Sequence, residues 1–450
     1  MTTICPQPHT PPFEINSTPP VAPRQNGLHI TIARTLPELR ALRDHWLALR
    51  ARRNLLTSEN EPDHFTAVLP LIRPPAEPHV ALFQRGDQPV ALLIARRSIR
   101  SLTSRIGYLR LPSPPVRSLD VIHGGILTDG SRPAARLVAA HLTGLCGSTV
   151  DCITINHLPT THHAHAALIE SRADPHVLAD PPQRHWVFSL LHQPGHEKTT
   201  PLDWSRALPP AGQHPTAASL DAYFQTHKSP KARKNMRRQD RVLSSHFGGD
   251  LSLVRLTRPS EVDRFVAEAA AVTRAGYQSA LGAGLGDSDI QRAILHAAAA
   301  RGAMRCYLLR AQGQTLAFQC GIMVGARYHL QATAYLPAFA GFSPGQVLLV
   351  RVLRDLADDG LTGIDYGLGD AHYKRVFGTC CWEEQTLRLV ANTPRGLAAR
   401  WIVRSTSAVD RVARTLASRT GSAGPIKKWW RSTLRRRSRA ALDHRAGFNA

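Results

Sequence analysis

Three sequence patterns occur twice in this chain, in the same order, and an internal repeat of that kind decides the architecture before any single residue is weighed. LHITIARTLPELRALRDHWLAL from Leu28 reads strand, Thr, Pro, Glu, helix, and so does LSLVRLTRPSEVDRFVAEAAAV from Leu251. VALFQRGDQPVALLIA from Val80, two apolar runs around Gly86-Asp87, has its counterpart in CYLLRAQGQTLAFQCGI from Cys306. SRPAARLVAAHLTGL from Ser131, followed by the strand DCITINHL, returns as SPGQVLLVRVLRDLADDGLTGIDYGLG from Ser343. The counterparts lie 212 to 226 residues apart. The expected fold is therefore α/β (mixed α+β), with two tandem units of strand, helix, hairpin, helix and strand. Within the first unit Leu39, Leu42, Trp46 and Leu49 recur at helical spacing, and Ser131 with Pro133 makes a helix N-terminus.

At 450 residues the chain exceeds the ~100–200 of one domain, and 43% hydrophobic against 20% charged residues excludes a mostly disordered, collagen-like or coiled-coil protein. The segment 1–27 holds seven prolines and few large apolar residues, so a disordered tail is expected there. The division that follows is a first unit over 28–200, a second over 215–395, and a helical, basic extension over 396–450. The seven cysteines include no Cys-x-x-Cys pair, which signals neither a disulfide framework nor a zinc site. No apolar run is long enough to span a membrane and no signal peptide is evident, so the expected location is the cytoplasm, with any membrane contact peripheral at the inner face.

Fifty-six Lys and Arg against 33 Asp and Glu give a net charge of +23, which biases the surface toward anionic partners. Part of this is an arginine-rich composition, since only seven of the basic residues are lysines. Between the units, 228–241 carries seven basic residues, including Arg233 and Lys234, against Asp240 alone. Such a helix is either a solvated face or a brace for phosphate. From Arg400 onward thirteen basic residues face two acidic ones, and Trp429-Trp430 adjoins Lys427, Lys428 and Arg431. That combination suits peripheral contact of the tail with an anionic membrane.

Ser343-Pro344-Gly345-Gln346 before VLLVRVLRDL places a glycine and a proline at the start of a helix, where free N–H groups and the helix dipole favour a phosphate. The stretch around it, YLPAFAGFSPGQVLLVRVLRDLADDGLTGIDYGLGDAHYKRVFG, resembles the CelD/FemAB-like branch of the GNAT acyltransferase superfamily. The residues carrying the resemblance are Tyr335, Ser343, Pro344, Gly345, Asp365, Tyr366, Gly367, Gly369, Asp370, Tyr373 and Lys374. It covers about 215–395 well and 28–190 in outline, and its FemAB-type members have two tandem GNAT-like units. It implies transfer of an acyl group, typically acetyl, from an acyl-CoA to an amine of a small-molecule or cell-envelope polysaccharide acceptor. Ser343, Gly345, Gln346, Arg233 and Lys234 would then hold the donor.

Acyl transfer of this kind needs a base for an amine of pKa ~10 and a proton donor for the departing thiolate. The residues for it are Asp370 as base, Tyr373 as donor, Lys374 as partner of a phosphate or carboxylate, and Asp365 beside them. The first unit's DCITINHLP keeps none of these charged residues, so its chemistry is expected to be lost. The usual Gln/Arg-x-x-Gly-x-Gly/Ala loop is absent at the Ser-Pro-Gly helix, which leaves a Fem-like aminoacyl-tRNA donor as an alternative, tRNA being a partner only in that case. A further alternative is a non-enzymatic adaptor that binds nucleic acid or anionic membrane. No metal is expected: His162, His163 and His165 lack a Cys, Asp or Glu at ligand spacing, and Cys380-Cys381 lacks an adjacent base.

Overall fold

A computed structural model describes residues 27–52, 56–106, 109–170, 176–190, 217–276, 284–402 and 405. The disordered tail expected over 1–27, all but its last residue, and the basic tail from 406, with its tryptophan pair, lie outside them. In the first unit β1 (Leu28–Ala33) is followed by α1 (Leu36–Ala41), α2 (Arg43–Ala51) and α3 (Pro62–Val68). Next come β2 (Ala76–Arg85), β3 (Gln88–Ile106), β4 (Leu109–Thr128), α4 (Arg132–Leu145), β5 (Cys152–Pro159), α5 (His163–Glu170), β6 (His176–Ala179) and β7 (Gln183–Ser189). Two helices, α6 (Ala217–His227) and α7 (Pro230–His246), lead into the second unit. It comprises β8 (Ser252–Leu256), α8 (Val262–Ala275), α9 (Asp289–Ala300), β9 (Met304–Ala311), β10 (Gln314–Val324), β11 (Arg327–Tyr335), α10 (Pro344–Asp358), β12 (Gly363–Leu368), α11 (His372–Phe377) and β13 (Cys380–Val390).

The repeat holds down to single hydrogen bonds. Glu38 Oε2 accepts from the N–H groups of Arg34 and Thr35 at 2.6 and 3.1 Å, and Glu261 Oε2 accepts from Thr257 and Arg258 at 2.9 and 3.0 Å. Each carboxylate satisfies donors that a helix N-terminus leaves without partners. In both units the fourth strand from the edge pairs in parallel with the strand after the long helix: β4 with β5, β11 with β12. The chain run that forms β4 carries Pro112, Pro114 and Pro115 and gives no strand pattern, so the sequence reading has a hairpin where the unit has a three-stranded meander.

The thirteen strands among the described residues form one sheet in the order β1-β2-β3-β4-β5-β13-β7-β12-β11-β10-β9-β8, with β6 also on β13. Its middle is an exchange. The last strand among the described residues, β13, pairs with β5 of the first unit, while β7 of the first unit pairs with β12 of the second. The two exchanged strands pair with each other. Boundaries at 200 and 215 therefore divide the chain but not the sheet.

Helices cover both faces. Ala81, Phe83, Leu93 and Val121 meet α4 on one face, whereas Val80, Leu82, Leu92 and Ile94 meet α1 to α3 on the other. The second unit repeats this, with Tyr307 and Leu309 against α10 and Cys306 and Leu308 against α8 and α9. Burial on both sides is why these strands read as continuous apolar runs instead of alternating ones.

Candidate functional site

The equivalent helices α4 and α10 begin differently. Ser131 caps α4, its Oγ accepting from the Ala134 N–H at 3.2 Å. Ser343, at the same place before α10, has φ 55° and ψ 48° and makes no such cap. A left-handed conformation is costly for a residue with a Cβ. Pro344 has no N–H, and the Gly345 N–H lies in the first turn, where no helical carbonyl is within reach.

What this helix end faces is a cavity of about 550 Å³, bounded by Ser343, Gly345 and Gln346 of the helix start, Gln319 of β10, Thr333 and Tyr335 of β11, and Ala371, His372 and Tyr373 after β12. It exists because β11 and β12 pair only from Arg327–His329 to Gly363–Asp365. Beyond His329 the strands part. A Cβ on Gly345 would lie 3.2 Å from the Tyr335 ring, so glycine lets that ring rest against the helix start. Burial pushes the Tyr373 phenol up to about 12, which keeps it protonated near neutrality. Gln319 is 1% exposed, and its side chain lies within reach of the Tyr328 hydroxyl.

Four of the residues named from sequence, Ser343, Gly345, Gln346 and Tyr373, thus line one cavity. The others do not. Asp370 stands beside it, held by Arg375 Nη1 at 2.9 Å and Arg184 Nη1 at 3.9 Å. Lys374 is turned inward: its Nζ donates to the carbonyls of Gly367 and Leu368 at 3.2 and 2.6 Å, and burial lowers its pKa to about 8. Its expected contact with a phosphate or carboxylate is replaced here by a tether on the loop after β12. Arg233 lines a second groove, of about 560 Å³, between α6, α7 and α10 together with Arg237, Arg241 and Arg354. Lys234 is exposed on the same helix.

Asp365 belongs to a buried polar cluster at the exchange. Its Oδ1 accepts from His185 Nε2 of β7 at 2.7 Å and from the Gly367 N–H at 2.8 Å, and His329 Nδ1 lies 3.4 Å from Oδ2. Burial alone would raise the Asp365 carboxyl, but the His185 charge and hydrogen bond hold it well below the usual carboxylate range. Sequence reading missed Gln319 and this histidine cluster, which come from segments far apart in the chain, and also His372, which adjoins Tyr373 within the motif itself.

Residues 230–375 match the family described as acetyltransferase (GNAT) domain, and this stretch contains the whole cavity wall. No curated protein is similar to the chain in sequence. Among solved structures, FemX is 11% identical, with a TM-score of 0.49 over 78% of this chain and 96% of that one. A tandem GNAT protein from the clavulanic acid biosynthesis pathway is 14% identical, with a TM-score of 0.38 over 82% and 99%. The C-terminal domain of a putative lysylphosphatidylglycerol synthetase from Agrobacterium fabrum is 11% identical, with a TM-score of 0.45 over 82% and 97%.

Proposed function

We propose that the chain transfers an acyl group, acetyl or longer, from an acyl-CoA to an amine, and that the second unit alone does the chemistry. The observation that carries this reading is the cavity where β11 and β12 part, closed by an uncapped helix start inside a segment that matches a GNAT acetyltransferase domain. The Gly345 N–H and the α10 dipole would take a phosphate of the donor. The thioester would lie along β11, with Gln319 Nε2 as donor to its carbonyl oxygen.

The chemical step forms a bond from the amine nitrogen to the acyl carbon and breaks the bond from that carbon to sulfur. Tyr373, kept protonated by burial, would give its proton to the departing thiolate. His372 lines the cavity and would take the amine proton. This replaces Asp370, whose carboxylate is engaged by Arg375 and Arg184. The first unit lacks a counterpart of Tyr373 and caps its equivalent helix with Ser131, which fits a supporting role.

A second donor is favoured by one observation. The groove lined by Arg233, Arg237, Arg241 and Arg354 would suit the phosphates of an aminoacyl-tRNA using the same cavity, the bond broken then being that from the acyl carbon to the ribose oxygen, which takes the Tyr373 proton. The purified chain incubated separately with acetyl-CoA, longer acyl-CoAs and charged tRNA separates the two. A rise in Tm with acyl-CoA only supports the first reading, a rise with charged tRNA only supports the second, and no rise with any of them overturns acyl transfer.

A further inference from the structure

At the strand exchange, three side chains from distant parts of the sequence bring one metal-ligating atom each to a single point. His123 comes from β4, His185 from β7 and Glu384 from β13, and their ligand atoms all lie within 4.8 Å of one another. We propose that His123 Nε2, His185 Nδ1 and Glu384 Oε2 bind a divalent transition-metal ion of the zinc type, which clips β4 to both exchanged strands.

The contacts inside the cluster are close, at hydrogen-bond distance. His185 Nδ1 lies 3.0 Å from Glu384 Oε1, and His123 Nε2 lies 3.0 Å from Glu384 Oε2. His185 Nδ1 and Glu384 Oε2 nevertheless have no aligned hydrogen-bond partner among the described residues, although their side chains are only 3% and 1% exposed. Buried polar atoms in that condition are uncommon. Metal–ligand bonds of about 2.0–2.2 Å put the ligand atoms of a four-coordinate ion about 3.3–3.6 Å apart, a spacing the three atoms reach with small side-chain shifts from their present separations, all within 4.8 Å.

The surrounding atoms are arranged as they are around bound metals. The other nitrogen of His185 meets the Asp365 carboxylate at 2.7 Å, which fixes the ring and leaves Nδ1 as the ligand nitrogen. Trp382 Nε1 donates to Glu384 Oε1 at 2.8 Å and stacks on His185 with ring centroids 4.5 Å apart, so the carboxylate is held with Oε1 against Trp382 and His185 and Oε2 toward His123. Beside the three ligands is a cavity of about 20 Å³, lined also by Thr57, Gly124 and His157. That volume admits one water-sized occupant, which supplies a fourth ligand. Two imidazoles and one carboxylate with one open position form a donor set suited to Zn²⁺. The inference is independent of acyl transfer, because none of the three ligands borders the cavity at α10.

The test uses the full chain, stripped with EDTA and dialysed, then titrated with Zn²⁺ alone and separately with Co²⁺ alone. One tightly held equivalent is expected, with the visible absorption of four-coordinate Co²⁺ and a rise in Tm on adding Zn²⁺. Glu384→Gln, which keeps the size of the side chain, should lower Zn²⁺ affinity by about 100-fold or more, and Asp365→Asn by about 10–100-fold, the range for residues that orient a ligand. His162→Ala with His163→Ala and His165→Ala should leave the tight equivalent in place. The proposal is overturned if the wild type takes up no equivalent, if Glu384→Gln binds Zn²⁺ as tightly as the wild type, or if the triple histidine variant loses the site. In the first case the cavity holds a water only.

Discussion

Glu38 and Glu261, one near the start of each unit, accept the same pair of backbone N–H groups, three and four residues before them in sequence. Equal function at both places makes a stability prediction. Hydrogen bonds from Arg258 hold the Glu261 carboxyl down to about 2. A depressed carboxyl contributes stability that is complete above its unfolded value of about 4.5 and is lost as pH falls through about 2. Glu261→Gln should therefore cost about 1 kcal/mol at pH 7 and visibly less at pH 3 in denaturant titrations. An equal cost at both pH values would show that the charge is irrelevant.

Tyr373→Phe and His372→Ala should each slow turnover about 10²-fold or more, the scale for a positioned acid or base, with unchanged melting. Asp370→Asn should cost less than tenfold if the carboxylate serves to hold the loop against Arg375 and Arg184. Steady-state rates with a confirmed substrate decide this, and a larger loss for Asp370→Asn than for His372→Ala would return the role of base to Asp370.

Gly345→Ala separates binding from folding. Alanine favours a helix by up to about 1 kcal/mol over glycine, and Gly345 is in an ordinary helical conformation, but the new Cβ would press on the Tyr335 ring at 3.2 Å. Tm should hold or rise while acyl-CoA affinity falls severalfold by calorimetry. Unaltered affinity would remove the helix start from the donor site.

Lys374→Met should cost stability, by about 1–3 kcal/mol, because the carbonyls of Gly367 and Leu368 lose a charged donor. Burial puts the wild-type ammonium at about 8, below its ordinary 10.5. The unfolded chain then holds more protons than the folded one between those values, so wild-type stability gains as pH rises from about 8 to 10.5. The variant should lack that gain in melts across the same range. A matching gain in the variant would show that another group causes it.

Gly321→Ala tests the core of the second unit. Its Cβ would fall 2.2 Å from the ring of Tyr328, which is fully buried, so overpacking of about 1–3 kcal/mol is expected. A thermal melt indistinguishable from wild type would contradict the packing described for β10 and β11.

The repeated elements were legible because each is written locally: Thr35 and Glu38, Ser131 and Pro133, the apolar period of Leu39, Leu42, Trp46 and Leu49. The Ser343 to Gln346 helix start and Tyr373 were legible for the same reason, as two short motifs 27 residues apart that the sheet brings to one cavity. Pairing between distant strands is not written locally. Nothing in QRHWVFS or CCWEEQTLRLV says that each completes the other half, and so His185, Glu384 and His123 could not be gathered from the sequence. The inward turn of Lys374 was hidden for a related reason, since its position beside Tyr373 says nothing about the carbonyls of Gly367 and Leu368 that its ammonium meets.

The exchange of β7 and β13 also bears on how the protein can be made. A ribosome delivers β5 long before β13, so the first unit waits with one side of β5 unpaired until more than two hundred further residues have emerged. An open strand edge of that kind invites pairing with other chains. Nascent chains halted shortly before Cys380 should accordingly be the ones that depend most on chaperones.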